Sequence, residues 1–114
     1  MSECLFCKIV RGELPAKLVH QDADTVAFVD INPQAPTHLL VVPRKHIRSL
    51  NDLAPEDEAL MGKLHRVAAA LARERGIDGS GWRAVLNTNA DAGQTVFHIH
   101  LHVIGGRRMA WPPG

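Results

Sequence analysis

Apolar positions follow two rhythms along the chain. Some stretches alternate or run almost unbroken, as strands do. Others repeat every three to four residues, as helices do. "CLFCKIVR" (4–11) carries apolar residues at 5, 6, 9 and 10, which predicts a short helix stopped by Gly12. "KLVHQD" (17–22) and "TVAFVD" (25–30) predict the two strands of a hairpin, with "DAD" as its tight turn. "NPQAP" (32–36) is a proline-fixed loop, and "THLLVVP" (37–43), nearly all apolar, predicts a central strand. The longest unit, 51–77, reads as a helix: Leu60, Leu64, Val67 and Leu71 recur at helical spacing. Pro55 and acids lie near its start, "RER" near its end, and Gly76 is a stop. "WRAVLNT" (82–88) predicts a fourth strand, "NADAGQ" (89–94) a loop and "VFHIHLHVI" (96–104) a fifth strand. The tail "MAWPPG" has adjacent prolines and no regular structure is expected there.

This order predicts an α+β fold of antiparallel neighbours, with the helices covering one sheet face. A length of 114 residues fits a single domain over 1–114. At 46% hydrophobic the chain can bury a modest core, and a dimer interface would widen a thin margin. The net charge is +1 with both signs mixed, so no basic stripe marks a nucleic-acid binder. The short run "PRKHIR" (43–48) reads as a solvated turn. No stretch approaches the roughly 18 apolar residues of a membrane span. The N-terminus lacks a signal-peptide core, so a cytoplasmic location is expected. Disulfides are rare there, and Cys4 and Cys7 as C-x-x-C suggest half a metal site or a redox pair.

"FHIHLHV" carries the chemistry. On a strand, Phe97, Ile99, Leu101 and Val103 share the core face, and His98, His100 and His102 share the other, facing solvent or a cleft. Thr, Lys or Glu would solvate that face more simply. Two functions suit an imidazole row: a zinc site, or a nucleophile with a proton-shuttling neighbour. The strand alone does not choose. His38 follows the proline loop, and "GQT" (93–95) supplies donors for an anion such as phosphate just before the row. That pairing favours phosphoryl transfer. His20 and His65 have no motif around them and read as surface residues, and Trp82 as core.

"HIHLHV", "DINPQAPTHLLVVPRKHI" and "GGRRMAWPPG" together resemble the histidine-triad (HIT) family, in its nucleotide-binding Hint branch. The likeness runs from "FCKIVRGELPAK" to "WPPG". It implies a five-stranded antiparallel sheet with one short and one long helix, and a homodimer with one continuous sheet. It also implies hydrolysis of purine nucleoside 5′-phosphoramidates through a covalent nucleotidyl-histidine, without a catalytic metal. Carried over by position, His100 is the nucleophile, and His102 and His38 support it near the phosphate and leaving amine. Gln94 and Thr95 match phosphate contacts, Asn87 a polar position near them, and Asp30 the carboxylate for the ribose hydroxyls, beside Ile31. Leu5, Phe6, Ile9, Leu14 and Phe28 match the apolar wall around the purine. Trp111 matches a tail segment that reaches the partner subunit's active site. Members with an N-terminal C-x-x-C imply structural zinc on Cys4, Cys7, His46 and His98. The rival readings are a nucleotide-binding interaction module with incidental hydrolysis, a dinucleoside polyphosphate hydrolase and a metal-dependent hydrolase. No nucleic-acid or membrane partner is implied.

Overall fold

Asp22 folds the chain back on itself. Its carboxylate accepts from the backbone N–H of Asp24 and Thr25, both at 2.8 Å, and from the Thr25 hydroxyl at 2.9 Å. Burial acts to raise its pKa, but these bonds and the His20 ring outweigh it and hold the carboxyl well below its usual range. His20 lies 2.7 Å from that carboxylate and is half-buried, so it belongs to the turn rather than to open surface. The turn joins β1 (Leu18–Gln21) to β2 (Thr25–Val29) as an antiparallel hairpin. The computed structural model, which describes residues 4–114, continues through β3 (Thr37–Pro43), β4 (Trp82–Val85) and β5 (Leu101–Gly105). The five strands form one antiparallel sheet in the order β1-β2-β3-β5-β4.

Pleating sorts these strands onto two faces, and both are covered. Ala27, Leu39, Val41, Leu101 and Val103 form one face, against Leu64, Val67, Ala68, Leu71 and Ala72 of the long helix α2 (Glu58–Glu74). Val26, Phe28, Leu40 and Val42 form the other, against Phe6 of the short helix α1 (Leu5–Val10). The expectation that the helices share one face is therefore corrected. β2 and β3 are apolar at nearly every position, and such strands need cover on both sides. Trp82 is half-buried against the α2 cluster, as expected of a core residue, while His65 is exposed.

Three element boundaries also differ. Helix α2 begins at Glu58, after 3₁₀ turns at Leu50–Asp52 and Pro55–Asp57, because Pro55 opens a turn whose end is tied by Asp57 to Ala54 N–H at 3.0 Å. Residues expected as a loop at 89–94 include a one-turn helix, α3 (Asn89–Ala92), ended by Gly93 at φ 89°. Strand β5 starts at Leu101, so His98 and His100 lie on an irregular approach to it. Phe97 is correspondingly 38% exposed instead of in the core, while Ile99, Leu101 and Val103 are buried as expected. Among the described residues no helix is long and apolar enough to cross a membrane.

Gly105 lets β5 pass close to the turn after α2. A Cβ there would stand 2.6 Å from Ile77 Cδ1 and 3.2 Å from Trp82 Cβ, both inside the packed layer. Gly105→Ala is expected to cost about 1–3 kcal/mol of stability through overpacking. Urea unfolding should show it as a lower midpoint at unchanged slope.

Candidate active site

The approach to β5 turns its imidazoles inward. His98 is fully buried, His100 is 8% exposed and His38, on β3, 5%. In the antiparallel register His38 lies opposite Ile104 and Leu40 opposite His102, so His38 and His102 share the sheet face that carries Phe6. The row thus faces the apolar layer under α1 and not open solvent. The Phe6 ring meets His100 edge-on at 5.0 Å between centroids.

Backbone groups fix which nitrogen of each ring holds a proton. His100 Nδ1 lies 2.8 Å from the His98 carbonyl, which can only accept. Nδ1 therefore donates and Nε2 keeps its lone pair. His38 Nδ1 accepts from the Gln34 N–H at 3.0 Å, so its proton sits on Nε2. That Nε2–H points to His102 Nδ1 at 2.8 Å, with Asp30 Oδ2 at 3.3 Å. His102 in turn holds its proton on Nε2. Every ring is neutral in this pattern. Burial acts the same way: it lowers the His38 and His100 pKa, against the pull of Asp30, and with the neighbouring His100 and His38 brings His102 down to about 4.

A second cluster shares His98. The Nε2–H of that ring donates to the Pro43 carbonyl at 2.8 Å, which turns the Nδ1 lone pair outward. Nδ1 lies 3.4 Å from Cys4 Sγ, 3.5 Å from Cys7 Sγ and 3.2 Å from His46 Nδ1, and His46 Nδ1 lies 3.2 Å from Cys7 Sγ. A tetrahedron around zinc, with bonds of ~2.0–2.3 Å, has edges of about 3.3–3.8 Å. The four edges at 3.2–3.5 Å lie close to that shape, the other two are within 4.8 Å, and Cys4 caps α1, so the helix start is built into the cluster. Asp30, His38 and His102 also converge, but the proton between the two rings occupies the lone pair a metal would need.

The remaining expected residues divide. Asp30 is half-buried, with Oδ1 accepting from the Asn32 N–H at 2.8 Å. Phe6 and Phe28 are buried in the layer under α1, Ile9 packs beside them, and Leu14 is half-buried. Leu5 is 47% exposed and Ile31 98%. Asn87 is half-buried, two residues beyond the end of β4. Thr95 is exposed. Gln94 is buried, and its amide is used within the chain: Oε1 accepts from Asn89 N–H, and Nε2 donates to the carbonyls of Arg48 and Val96.

The run 43–48 bends at 44–45 with Lys45, His46 and Arg48 exposed, as a solvated turn would, but its polar side chains also have partners. Arg44 donates to the Asp22 carbonyl, Lys45 pairs with Asp57 at 2.6 Å, His46 joins the cysteines, and Arg48 lies over the Phe97 ring. Arg48 and the carbonyls of Pro43 and His98 leave no signal in the sequence: a carbonyl carries none, and Phe97, the partner of Arg48, stands in phase with the core residues.

The HIT domain model matches residues 11–109. The chain belongs to the HIT domain family. A HIT family hydrolase from Legionella pneumophila Philadelphia 1 superposes with a TM-score of 0.97 at 51% identity, covering 98% of this chain and 100% of that one. The purine nucleoside phosphoramidase of Escherichia coli K12 is 47% identical over 94% of this chain and 90% of its own length. A Zn-bound histidine triad family protein from Mycobacterium smegmatis gives a TM-score of 0.78 at 38% identity, covering 97% of this chain and 79% of that one. The five-stranded antiparallel sheet and its long helix are those of the HIT fold. Cys4 and Cys7 precede the matched HIT span, so the metal-shaped cluster joins that domain to the segment before it.

The proton pattern is directly measurable. Long-range 1H–15N spectra near neutral pH should show His100 as the Nδ1–H tautomer and His38 as the Nε2–H tautomer. A protonated His100 Nε2 in the free protein would contradict the geometry.

Proposed function

We propose that this single-domain protein hydrolyses purine nucleoside 5′-phosphoramidates, adenosine 5′-monophosphoramidate among them, with His100 as nucleophile. The observation that carries the reading is the His98 carbonyl bond, which leaves His100 Nε2 bare beside His102. Nε2 attacks the α-phosphorus and the P–N bond breaks. An amine leaves poorly without a proton. The phosphate anion raises the affinity of the neighbouring rings for a proton, and the His38–His102 pair, countered by Asp30, takes up one and passes it to the leaving nitrogen. Water then attacks phosphorus, the bond to Nε2 breaks, and the water proton returns to the pair. The products are an amine and a nucleoside monophosphate. Charge on the phosphate oxygens needs fixed donors. Thr95 and Asn87 supply them, and Gln94 holds the segment that carries Thr95. Asp30 accepts from the ribose hydroxyls. Leu5, Phe6, Ile9, Leu14, Phe28 and Ile31 flank the purine. The sequence likeness to the Escherichia coli phosphoramidase supports this substrate class.

Cys4, Cys7, His46 and His98 hold one zinc ion in this reading. Its chemistry is structural: four protein ligands leave no position for a substrate. The zinc-bound relative and the donor distances support it. The reading also carries a homodimer with one continuous sheet, and a cytoplasmic protein.

Turnover of adenosine 5′-monophosphoramidate tests the nucleophile. His100→Ala should lower kcat by at least about a thousandfold at unchanged fold, as loss of an attacking group does. Comparable rates in the two proteins would overturn the assignment. Metal analysis tests the cluster: wild type should hold about one zinc per chain. Cys4→Ser should lose it and melt about 5 °C or more lower, the equivalent of roughly a kcal/mol, with most of the hydrolysis kept. A metal-free wild type of equal stability would remove zinc from the account.

A further inference from the structure

Residues 93–100 carry Gln94, Thr95, His98 and His100 without forming a strand. An irregular segment of this kind needs outside support to hold donors still. That support comes from 46–48, which runs beside it. Ile99 N–H donates to the Ile47 carbonyl at 2.8 Å, and Gln94 Nε2 donates to the Arg48 carbonyl at 2.9 Å. The Arg48 side chain then crosses to the far side of the segment. Its guanidinium carbon sits 4.3 Å from the centre of the Phe97 ring, and Nη1 reaches Asn89 Oδ1 at 3.4 Å. Asn89 holds a left-handed φ of 64° at the start of α3, and its N–H donates to Gln94 Oε1. One residue thus touches the beginning, middle and end of the loop.

Phe97 fits no packing need. It is 38% exposed, at a position where period-two alternation calls for core, and its cover is a cation. A phenyl ring 38% exposed costs solvation that Thr would avoid, and a guanidinium stacked on its face makes up part of that cost.

We propose that Arg48 is a positioning residue, clamping the 89–97 loop through Phe97 and Asn89 so that its donors meet a 5′-phosphate. This rests on reading the site as a phosphate site. The clamp acts on the phosphate side only: none of its contacts reaches Phe6, Phe28 or Asp30. Its signature is a loss of phosphate recognition without loss of nucleoside recognition.

Calorimetric titration with AMP and with adenosine separates the two. Arg48→Ala and Phe97→Leu should each weaken AMP binding about fivefold, which is ~1 kcal/mol, and leave adenosine within about twofold. The Arg48 carbonyl survives substitution, so Gln94 keeps its partner and melting temperatures should fall by no more than about 5 °C. The double variant should bind AMP no worse than the poorer single one, since both remove one contact. Arg48→Lys keeps a cation over the ring but loses the Nη1 bond to Asn89, and should recover part of the loss. The clamp is refuted if AMP affinity is unchanged in both single variants, if AMP and adenosine weaken together, or if the two losses simply add. Wild-type protein that binds adenosine but gains nothing from the 5′-phosphate overturns the phosphate-site reading itself, and the clamp with it.

Discussion

The carbonyl of His98 is the point on which this site turns. It accepts from His100 Nδ1 and so decides that Nε2, not Nδ1, faces outward with a lone pair. That carbonyl is held still because its own residue is fully buried and anchored twice more. The ring donates to Pro43 at the end of β3, and its other nitrogen meets Cys4, Cys7 and His46. Three parts of the chain thus converge on one residue: the start of α1, the end of β3 and the segment leading into β5. A buried imidazole without partners would cost several kcal/mol. Here both ring nitrogens and the carbonyl of His98 have one, and the same bonds that satisfy it orient its neighbour.

The two-sided sheet explains why the rings are neutral. The histidines lie in the layer between sheet and α1, edge-on to Phe6, where a charged imidazole is poorly solvated. A neutral ring can be a nucleophile or a hydrogen-bond donor, whereas an imidazolium cannot attack. Burial therefore prepares the chemistry as well as the fold. Asp30 supplies a nearby negative charge that opposes this effect on His38, His100 and His102 without overcoming it.

Much of this was legible in the chain. The hairpin of β1 and β2, the central β3 and the stripe of α2 follow from period-two and period-four patterns that tertiary packing reinforces. The resemblance drew the same histidines together that the coordinates do. What was not legible has physical causes. Residues 96–100 alternate like a strand, but His98 is drawn toward Pro43 and the cysteines and out of the sheet ladder. The start of α2 is later than its pattern suggests because Pro55 and its acids suit a 3₁₀ turn as well as a first helical turn. Layering of α1 and α2 on opposite faces depends on which side each connection crosses, and spacing carries no sign for that. Arg48 sat in a basic run whose members each turned out to have a different local partner.

The partners that assign protons to these rings are main-chain atoms: the carbonyls of Pro43 and His98 and the amide of Gln34. Replacing a side chain does not delete a carbonyl. The identity of the reactive nitrogen is thus written in the path of the backbone: residue 43 can vary in type, and residue 34 can vary to any type but proline, without erasing that instruction, whereas residue 98 is tied to its type because its own ring holds its carbonyl in place. Insertions or deletions of a single residue between 34 and 38, or between 98 and 100, would redirect it at once.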